Sequence, residues 1–284
     1  MSTVVLGVRI DTFTKAETLK KVSEFLIGNG QHTIFTPNPE MLVKAQKDEY
    51  FKEVLNRGDL NLCDGFGLWV AMILEIRYWK LKEKKIISNI KYPISFDRVP
   101  GTDFMLDVCR MAAEQGKSVY LLGSGNERVV QKTAERLRER FPGLKIAGGD
   151  KGLNIQENKK TIKQENTEEI FNLQSSIFEG LSVDKVENKK IVDVVNNSKA
   201  EILFVAFGMG KQEKWIVENL NKLPSVKIAM GVGGAFDYIS GKVRRAPLLM
   251  RRLGLEWVYR LIKQPERVGR ILNATVRFIY YIYK

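Results

Sequence analysis

The sequence predicts an α/β fold with a doubly wound, mostly parallel β-sheet. Short apolar runs rich in Val, Ile and Leu alternate along the chain with amphipathic segments of helical period, and turn residues separate them. Strands that alternate with helices are typical of parallel sheets covered on both faces. With 284 residues and 44% hydrophobic content, the chain is long enough for one large domain or two small ones.

Each strand is predicted from an apolar run, and each helix from its period and boundary residues. The predicted strands are Val4–Ile10, Thr33–Thr36, Asp59–Cys63, Ser118–Leu122, Leu144–Ala147, Ile202–Phe207 and Val226–Val232. Thr14 and Glu17 form a capping box that opens a first helix through Leu26. The remaining helices are predicted over about Glu40–Leu55, from about Leu68, over Thr102–Glu114 with Thr102 as the cap, over Glu127–Phe141 and over Gln212–Leu220.

Two segments interrupt the alternation and are interpreted as insertions. Residues 77–96 are basic with interspersed Ile and Trp, and residues 153–190 are rich in Asn, Gln, Glu and Lys. Neither is expected to carry the chemistry. The sheet domain is therefore predicted to span residues 1–241, with both insertions inside it.

Residues 242–284 are predicted to form a separate, basic and amphipathic helical appendage. They hold eleven Lys or Arg and two acidic residues, which is +9 of the chain's net +13. Four of these cations recur at intervals of three and four residues and share one helical face: Arg260, Lys263, Arg267 and Arg270. Pro265 is expected to kink or restart the helix between them. The other faces carry Leu, Trp, Ile and Val, as in helices that lie on anionic membrane surfaces.

Composition disfavours several functional classes. The two cysteines, Cys63 and Cys109, make no disulfide framework and suit a reducing cytoplasm. A single histidine, His32, nearly excludes a histidine-based metal site. The N-terminus lacks the features of a signal peptide, and no run reaches the about 18 apolar residues of a membrane-spanning helix. The protein is therefore expected in the cytoplasm.

Polar residues follow two successive predicted strands, at the edge where parallel sheets bind ligands. Thr36 and Asn38 lie in a proline-rich turn after the second strand, and Asp64 follows the third among apolar neighbours. A partly buried carboxylate at that edge is suited to take a proton from an incoming hydroxyl group. The alternatives are a tight turn at Asp64-Gly65 and an Asn38 side chain that bonds its own backbone.

Two glycine-rich strand ends and one helix start complete the candidate site. Gly123-Ser124-Gly125-Asn126 is suited to phosphate at a helix N-terminus, but it lacks the third glycine of a dinucleotide fingerprint. Gly233 and Gly234, followed by Asp237, allow close approach of a ligand, or form a tight turn. Gln212 begins a helix at the same edge. Together with the cationic appendage, a base at this edge indicates group transfer from a phosphorylated donor.

Eight motifs then occur in an order that resembles one family. They are Thr36-Pro-Asn-Pro-Glu40, Asp64-Gly-Phe-Gly67, Arg98-Val-Pro-Gly-Thr-Asp103, Tyr120-Leu-Leu-Gly123, Phe207-Gly-Met-Gly-Lys-Gln-Glu-Lys-Trp215, Gly231-Val-Gly-Gly-Ala-Phe-Asp237, Arg245-Ala-Pro247 and Gly254-Leu-Glu-Trp-Val-Tyr-Arg-Leu261. The chain resembles the WecG/TagA/CpsF family of bacterial glycosyltransferases, glycosyltransferase family 26, over nearly all of its length except the insertions. It departs from the family pattern before Arg98, where the first insertion lengthens the link and Asp97 replaces the more usual Glu.

The resemblance implies a Rossmann-like catalytic domain with an appendage that docks on the inner face of the plasma membrane. It implies inverting, metal-independent transfer of a sugar, often N-acetylmannosamine or its uronic acid, from a UDP-sugar to a polyprenyl-diphosphate-linked sugar. Cell-surface polysaccharide or wall teichoic acid would be the product. The residues that match the family's site are the base Asp64, the turn residues Thr36 and Asn38, the pocket residues Arg98 and Gln212, and the phosphate-binding Arg260, Arg267 and Arg270. We include Gly233, Gly234 and Asp237 as substrate-binding candidates.

Alternatives remain open at this stage. Other donors, such as UDP-glucose or UDP-N-acetylmannosaminuronic acid, fit the same motifs. An NAD-dependent oxidoreductase on the same fold lacks its fingerprint. A nucleic-acid-binding protein is suggested by the isoelectric point of about 9.6, but the apolar tail suits a bilayer better than a duplex. A homodimer would cover the apolar appendage away from the membrane.

Overall fold

The computed structural model describes residues 1–82, 96–153, 155–157 and 181–283. The strands, in chain order, are β1 (Ser2–Val5), β2 (Val8–Asp11), β3 (His32–Phe35), β4 (Leu60–Asn61), β5 (Ser118–Gly123), β6 (Lys145–Asp150), β7 (Gln156–Glu157), β8 (Leu181–Ser182), β9 (Ile202–Ala206) and β10 (Ile228–Gly231). The helices are α1 (Lys15–Ile27), α2 (Pro39–Ala45), α3 (Glu49–Asn56), α4 (Phe66–Lys82), α5 (Gly101–Glu114), α6 (Glu127–Arg140), α7 (Lys185–Ser198), α8 (Lys211–Asn219), α9 (Ala235–Ser240), α10 (Leu248–Arg252), α11 (Glu256–Lys263), α12 (Val268–Leu272) and α13 (Phe278–Tyr283).

A six-stranded parallel sheet with the order β4-β3-β10-β9-β5-β6 forms the centre of the molecule. Ile34 pairs with Leu60 on one side and Met230 on the other, and Phe204 continues the row between Met230 and Leu121. These five side chains are buried on one face of the sheet. Strand pairing this regular, with apolar residues on both faces, confirms the predicted α/β fold.

Helices cover both faces of the sheet, as the doubly wound prediction requires. One face buries side chains of α2, α3, α7 and α8. The other buries side chains of α1, α5, α6 and α9. The strand order steps one way from β9 to β10 and the other way from β5 to β6, so the winding reverses between β9 and β5. All carboxyl ends of the parallel strands meet at one edge, where ligands bind in this architecture.

Local backbone signals explain where the predicted elements hold and where they are wrong. The Thr14–Glu17 capping box is present at the start of α1. The single predicted strand Val4–Ile10 is instead the antiparallel hairpin β1–β2, because Leu6 and Gly7 both have positive φ and form a tight turn. The predicted helix Glu40–Leu55 is two helices, since the Asp48 side chain accepts a hydrogen bond from the Phe51 N–H and starts α3.

Two further predictions need correction. Thr102 lies inside the first turn of α5 rather than capping it, because Pro100 occupies the residue before the helix. The second insertion was predicted to extend to residue 190, but α7 begins at Lys185 with the Asp184 side chain as its cap. Most of the two insertions, residues 83–95, 154 and 158–180, lies outside the described residues. That neither insertion carries the chemistry stays a prediction.

The appendage consists of short helices, and its end packs back against the domain that is built around the sheet. As predicted, the chain breaks at Pro265: α11 ends at Lys263, and one 3₁₀ turn separates it from α12. The cations predicted to share one helical face are therefore divided: Arg260 and Lys263 lie on α11, Arg267 in the 3₁₀ turn and Arg270 on α12. Further on, the Phe278 side chain of α13 is buried in the core that also contains Leu68 and Met72 of α4. The boundary at residues 241/242 stays a prediction. In the described ranges, no helix has the length and apolarity needed to cross a membrane.

Candidate active site at the carboxyl edge of the sheet

Asp64 and Thr36 lie together at the carboxyl ends of β4 and β3. The Asp64 N–H donates to the carbonyl of Pro37 at 2.9 Å, which ties the two strand ends to each other. The first turn of α5 closes the third side, where the Gly101 N–H donates to Asp64 Oδ2 at 3.4 Å. A Cβ atom at Gly101 would lie 2.9 Å from Thr36 Oγ1, so this turn also contacts Thr36 closely. The predicted base and the predicted turn residue thus share one pocket wall.

Asn38 has a structural role in this arrangement. Its Oδ1 accepts a hydrogen bond from the Met41 N–H at 3.0 Å and caps α2, with Pro39 in the first helical position. The alternative considered for Asn38, a bond to its own backbone, is therefore present. A role in substrate binding stays a prediction, carried by the side-chain amide nitrogen rather than by the oxygen.

The environment of Asp64 raises the pKa of its carboxyl group. Burial is the main cause, and the hydrogen bond from the Gly101 N–H opposes it. Two side chains of α11 also act on the group: the negative charge of Glu256 raises the pKa, and the positive charge of Arg260 lowers it. A carboxylate with a raised pKa is a better proton acceptor near neutral pH, which is the property that a general base needs.

Gln212 connects two strand ends across the candidate site. Its Oε1 accepts a hydrogen bond from the Gly233 N–H at 2.9 Å, and its Nε2 donates to Glu213 Oε1 at 2.8 Å. Glu213 is itself buried, and its other oxygen accepts from the Gly210 N–H at 2.7 Å. Burial raises the pKa of Glu213 despite these bonds. Gln212 therefore fixes the glycine loop that contains Gly233 and Gly234, and Glu213 orients Gln212.

A cleft of about 280 Å³ lies between α9 and the appendage. Four cations line it: Lys242, Arg244, Arg260 and Lys263. Arg260 is bonded to Glu256 on its own helix and lies over the Tyr238 ring, 5.3 Å from the centroid. The charges of two lining residues, Arg260 and Glu256, act electrostatically on Asp64. Its lining matches the charge of a diphosphate group.

The other predicted cations of the appendage are placed differently. Arg270 makes a two-pronged ion pair with Glu40 of α2, at 2.7 and 3.0 Å. The side chain of Arg267 lies outside the described residues. Asp237, predicted to bind substrate, pairs with Lys242 at 3.1 Å at the rim of the cleft. Arg260 therefore acts on Asp64 through its charge, while Arg270 contacts the helix that follows Thr36.

Arg98, the predicted pocket arginine, points toward the appendage. Its Nη2 donates to the carbonyl of Arg251 at 2.7 Å. Arg251 and Arg245 in turn face the carboxylate of Asp103. No role was predicted for Asp103 or Arg245, although both lie in the quoted motifs. Their opposite charges were a readable signal, but the sequence separation of 142 residues hid the contact.

The loop Gly123–Asn126 is less suited to phosphate than its sequence suggests. The Ser124 N–H donates to the carbonyl of Ala206, and the Gly125 N–H donates to the carbonyl of Lys151. Asn126 caps α6 through its side chain. Two of the loop amides that would hold a phosphate, those of Ser124 and Gly125, are thus already bonded within the protein. Among the described residues, no three His, Cys, Asp or Glu side chains converge as a metal site, and metal independence stays a prediction.

Comparison with known proteins gives a consistent result. A sequence model of the glycosyl transferase WecG/TagA/CpsF family matches residues 3–284. The chain is 26% identical over 282 residues to the N-acetylglucosaminyldiphosphoundecaprenol N-acetyl-beta-D-mannosaminyltransferases of Staphylococcus aureus strains MW2, NCTC 8325 and MRSA252. The match covers 99% of this chain and 91% of each relative.

Proposed function

This chain belongs to the WecG/TagA/CpsF family of glycosyl transferases, and we propose that it transfers N-acetylmannosamine, or a related hexose, from a UDP-sugar to a polyprenyl-diphosphate-linked sugar. The observation that carries this proposal is the pairing of a half-buried Asp64 of raised pKa with a cationic cleft at the same sheet edge. The relatives' name, which specifies a diphosphoundecaprenol acceptor, supports the lipid-linked substrate.

In the proposed reaction, Asp64 accepts the proton of the acceptor hydroxyl group as its oxygen attacks the anomeric carbon. The bond from that carbon to the phosphate oxygen of UDP breaks on the opposite side, so the configuration inverts. The products are a new glycosidic bond, UDP and a protonated Asp64. Thr36, beside Asp64, is placed to hold a sugar hydroxyl group in line for attack.

The leaving UDP carries negative charge that must be stabilised as the bond breaks. The charge of Arg260 acts on Asp64, and Lys242, Arg244 and Lys263 line the same cleft as Arg260. Preorganised cations in such a position stabilise the transition state more than the ground state. In this scheme the protein's own cations take the role that a metal ion has in many transferases, which agrees with the expected metal independence.

The proposed location is the cytoplasmic face of the plasma membrane, where a polyprenyl-linked acceptor is embedded. Apolar side chains of the appendage lie exposed next to its cations, among them Leu249, Trp257 and Ile262. Such a surface fits the interface of an anionic bilayer. The polymer that receives the sugar, cell-surface polysaccharide or wall teichoic acid, is part of the same proposal.

The test is acceptor-dependent UDP release by the full chain, with UDP-N-acetylmannosamine and a short-chain prenyl-diphosphate-GlcNAc. We expect release by the wild type and a fall of about 10²- to 10⁴-fold in Asp64→Asn, the usual effect of removing a general base. The matched control is Asp59→Asn, which changes an aspartate beside the amino end of the same strand, where Asp59 bonds Thr33. This control should keep its rate.

The donor is tested in the same assay. Release with UDP-glucose or UDP-N-acetylmannosaminuronic acid, but not with UDP-N-acetylmannosamine, would keep the reaction class and change the sugar. Undiminished release by Asp64→Asn with the preferred donor would exclude Asp64 as the base. Reduction of NAD with no UDP release from any donor would instead support an oxidoreductase.

A further inference from the structure

The first turn of α5 meets the appendage through one carboxylate. Asp103 receives two hydrogen bonds from Arg245, at 2.6 Å to Oδ1 and at 2.9 Å to Oδ2. Arg251 approaches Oδ1 at 3.5 Å. Burial opposes ionisation of Asp103, but the bonds and charge of Arg245 outweigh it, so the pKa lies below its usual value. Two-pronged arginine–carboxylate pairs fix orientation as well as distance.

The same turn of α5 also meets the candidate base. The Gly101 N–H donates to Asp64, and the Val99 N–H donates to the carbonyl of Cys63 at 2.9 Å. Just before the turn, Arg98 donates to the carbonyl of Arg251. The six residues from Arg98 to Asp103 therefore form hydrogen bonds with both the candidate base and the appendage. A shift of one is transmitted to the other through a single helical turn.

Few apolar contacts hold this part of the appendage. In the described part of α11, no side chain is fully buried. Leu248, Leu249, Leu253 and Ile262 are exposed rather than packed on the catalytic domain. Charged contacts therefore take a larger share in fixing α10 and α11 than in a helix with a buried apolar face.

We infer that Asp103 and Arg245 are positioning residues, whose ion pair fixes α10 and α11, and with them Arg260 and Glu256, relative to Asp64. The inference rests on the proposed function in taking Asp64 as the base. Neither residue contacts Asp64 itself. They act through the turn of α5 on one side and through the chain between Arg245 and α11 on the other. Breaking the pair leaves the base and the cleft intact but changes their relative position.

Two measurements on the full chain test this inference. The first is hydrogen exchange of peptides covering residues 248–264, without any ligand, in wild type, Asp103→Asn and Arg245→Gln. In both variants, exchange in these peptides should be faster than in the wild type. Exchange in peptides of the central sheet should be unchanged. The matched control is Asp107→Asn, one turn further along the same helix, which loses an ion pair to Lys15 at 2.6 Å rather than a bond to the appendage. It should leave exchange over residues 248–264 unchanged.

The second measurement is the transfer rate with the donor and acceptor used above. A misplacement of about 1 Å at a reacting centre costs roughly 10²-fold, so a fall in kcat of about 10- to 100-fold is expected in Asp103→Asn, with a smaller change in KM for the donor. Asp103→Glu, which keeps the charge, should recover part of the rate. The double variant Asp103→Asn/Arg245→Gln should be no slower than either single variant, because both remove the same contact.

The outcomes separate the inference from the proposed function. Unchanged exchange over residues 248–264 in both single variants would overturn the inference, whatever the transfer rate. Additive losses in the double variant would overturn it as well. If the wild type transfers no sugar, the proposed function fails, while faster exchange in the variants would still establish that the pair positions the appendage.

Discussion

At the scale of the residue, Asp64 occupies a site that favours its protonated form. Burial raises the pKa of its carboxyl group above the ordinary aspartate value, and Glu256 adds to the shift. A group whose pKa is raised by folding stabilises the folded state below its unfolded pKa, and this contribution is lost as the pH rises through the folded pKa. At neutral pH, where this carboxyl group is ionised in the unfolded chain, the environment of Asp64 therefore lowers stability, as is common for groups placed for catalysis.

Asp64→Asn is accordingly expected to raise the free energy of unfolding at pH 7 while it abolishes most activity. The gain should shrink as the pH falls below the ordinary aspartate pKa, where the wild-type carboxyl group is protonated in both states. Denaturant unfolding of both proteins from pH 3 to 8 measures this difference. For the wild type, kcat/KM should fall on the acid side at a pH above the ordinary aspartate value. A variant less stable than the wild type at pH 7 would contradict the assigned environment.

Single residues also show how far sequence alone reaches. Asp64 and Thr36 were predicted to lie together, because both follow parallel strands and such strands end at one edge. The structure places them so. The hydrogen bond from the Gly233 N–H to Gln212 and the Asp103–Arg245 pair were not predicted, because each joins residues that only the folded sheet brings together. The hydrophobic pattern along the chain identifies the edge of the sheet and the buried faces of its elements. Contacts between side chains that are distant in sequence depend on how the whole chain packs.

At the scale of the element, the first turn of α5 fits the site only because it begins with glycine. A Cβ at Gly101 would lie 2.9 Å from Thr36 Oγ1 and 3.5 Å from its methyl carbon, so the threonine would have to move. Gly101 does not have a positive φ, so the backbone conformation of this residue is compatible with alanine. Alanine even favours helix over glycine by about 1 kcal/mol. The packing cost and the helix gain therefore oppose each other.

Gly101→Ala is expected to change the free energy of unfolding by no more than about 1 kcal/mol, because the gain in helix propensity offsets the contact with Thr36. Transfer should fall by about tenfold or more, since Thr36 and Asp64 lose their alignment. Gly269→Ala is the matched control, because a Cβ at this helical glycine of the appendage meets no atom within 4 Å among the described residues. Full activity in Gly101→Ala would show that transfer does not depend on the exact position of the Thr36 side chain.

The prediction of helices and strands was most accurate where the hydrophobic period of a segment agreed with the residues at its two ends. Strands β5, β9 and β10 of the central sheet were found because each is a buried apolar run. Helix α7 was hidden by its polar composition, although Ile191, Val192 and Val195 recur at helical spacing and are buried. The β1–β2 hairpin was missed because its turn uses Leu6 with a positive φ, a conformation that residues other than glycine rarely adopt.

At the scale of the whole molecule, the appendage is partly packed and partly exposed. Phe278 is buried in the core on one side of the central sheet, and Arg270 is paired with Glu40. Other appendage residues, among them Leu249 and Ile262, expose apolar side chains in a segment rich in positive charge. Deleting residues 242–284 would therefore uncover core as well as remove the exposed surface, which makes point variants the better test of membrane docking. The predicted homodimer would cover the same exposed residues.

The double variant Leu249→Ser/Ile262→Ser should weaken binding to anionic phospholipid vesicles. Both side chains are about 70% exposed, and burying each in a bilayer is worth roughly 1.5–3 kcal/mol, so their loss predicts about 10²-fold weaker partitioning or more. Ile27→Ser/Val186→Ser is the matched control, because these residues are similarly exposed but lie outside the appendage. Vesicle sedimentation at two salt concentrations separates the apolar contribution from that of the cations, which salt screens.

The outcome also decides between a membrane and a second copy as the occupant of this surface. Weaker vesicle binding with an unchanged molar mass in solution would support the membrane. A wild-type dimer that dissociates in the double variant, with vesicle binding unchanged, would support the homodimer. Because Arg245 lies just before α10, which contains the exposed Leu249, membrane contact and alignment of Arg260 with Asp64 are then expected to be coupled through the Asp103–Arg245 pair. Vesicles should raise the transfer rate of Asp103→Asn by a larger factor than that of the wild type.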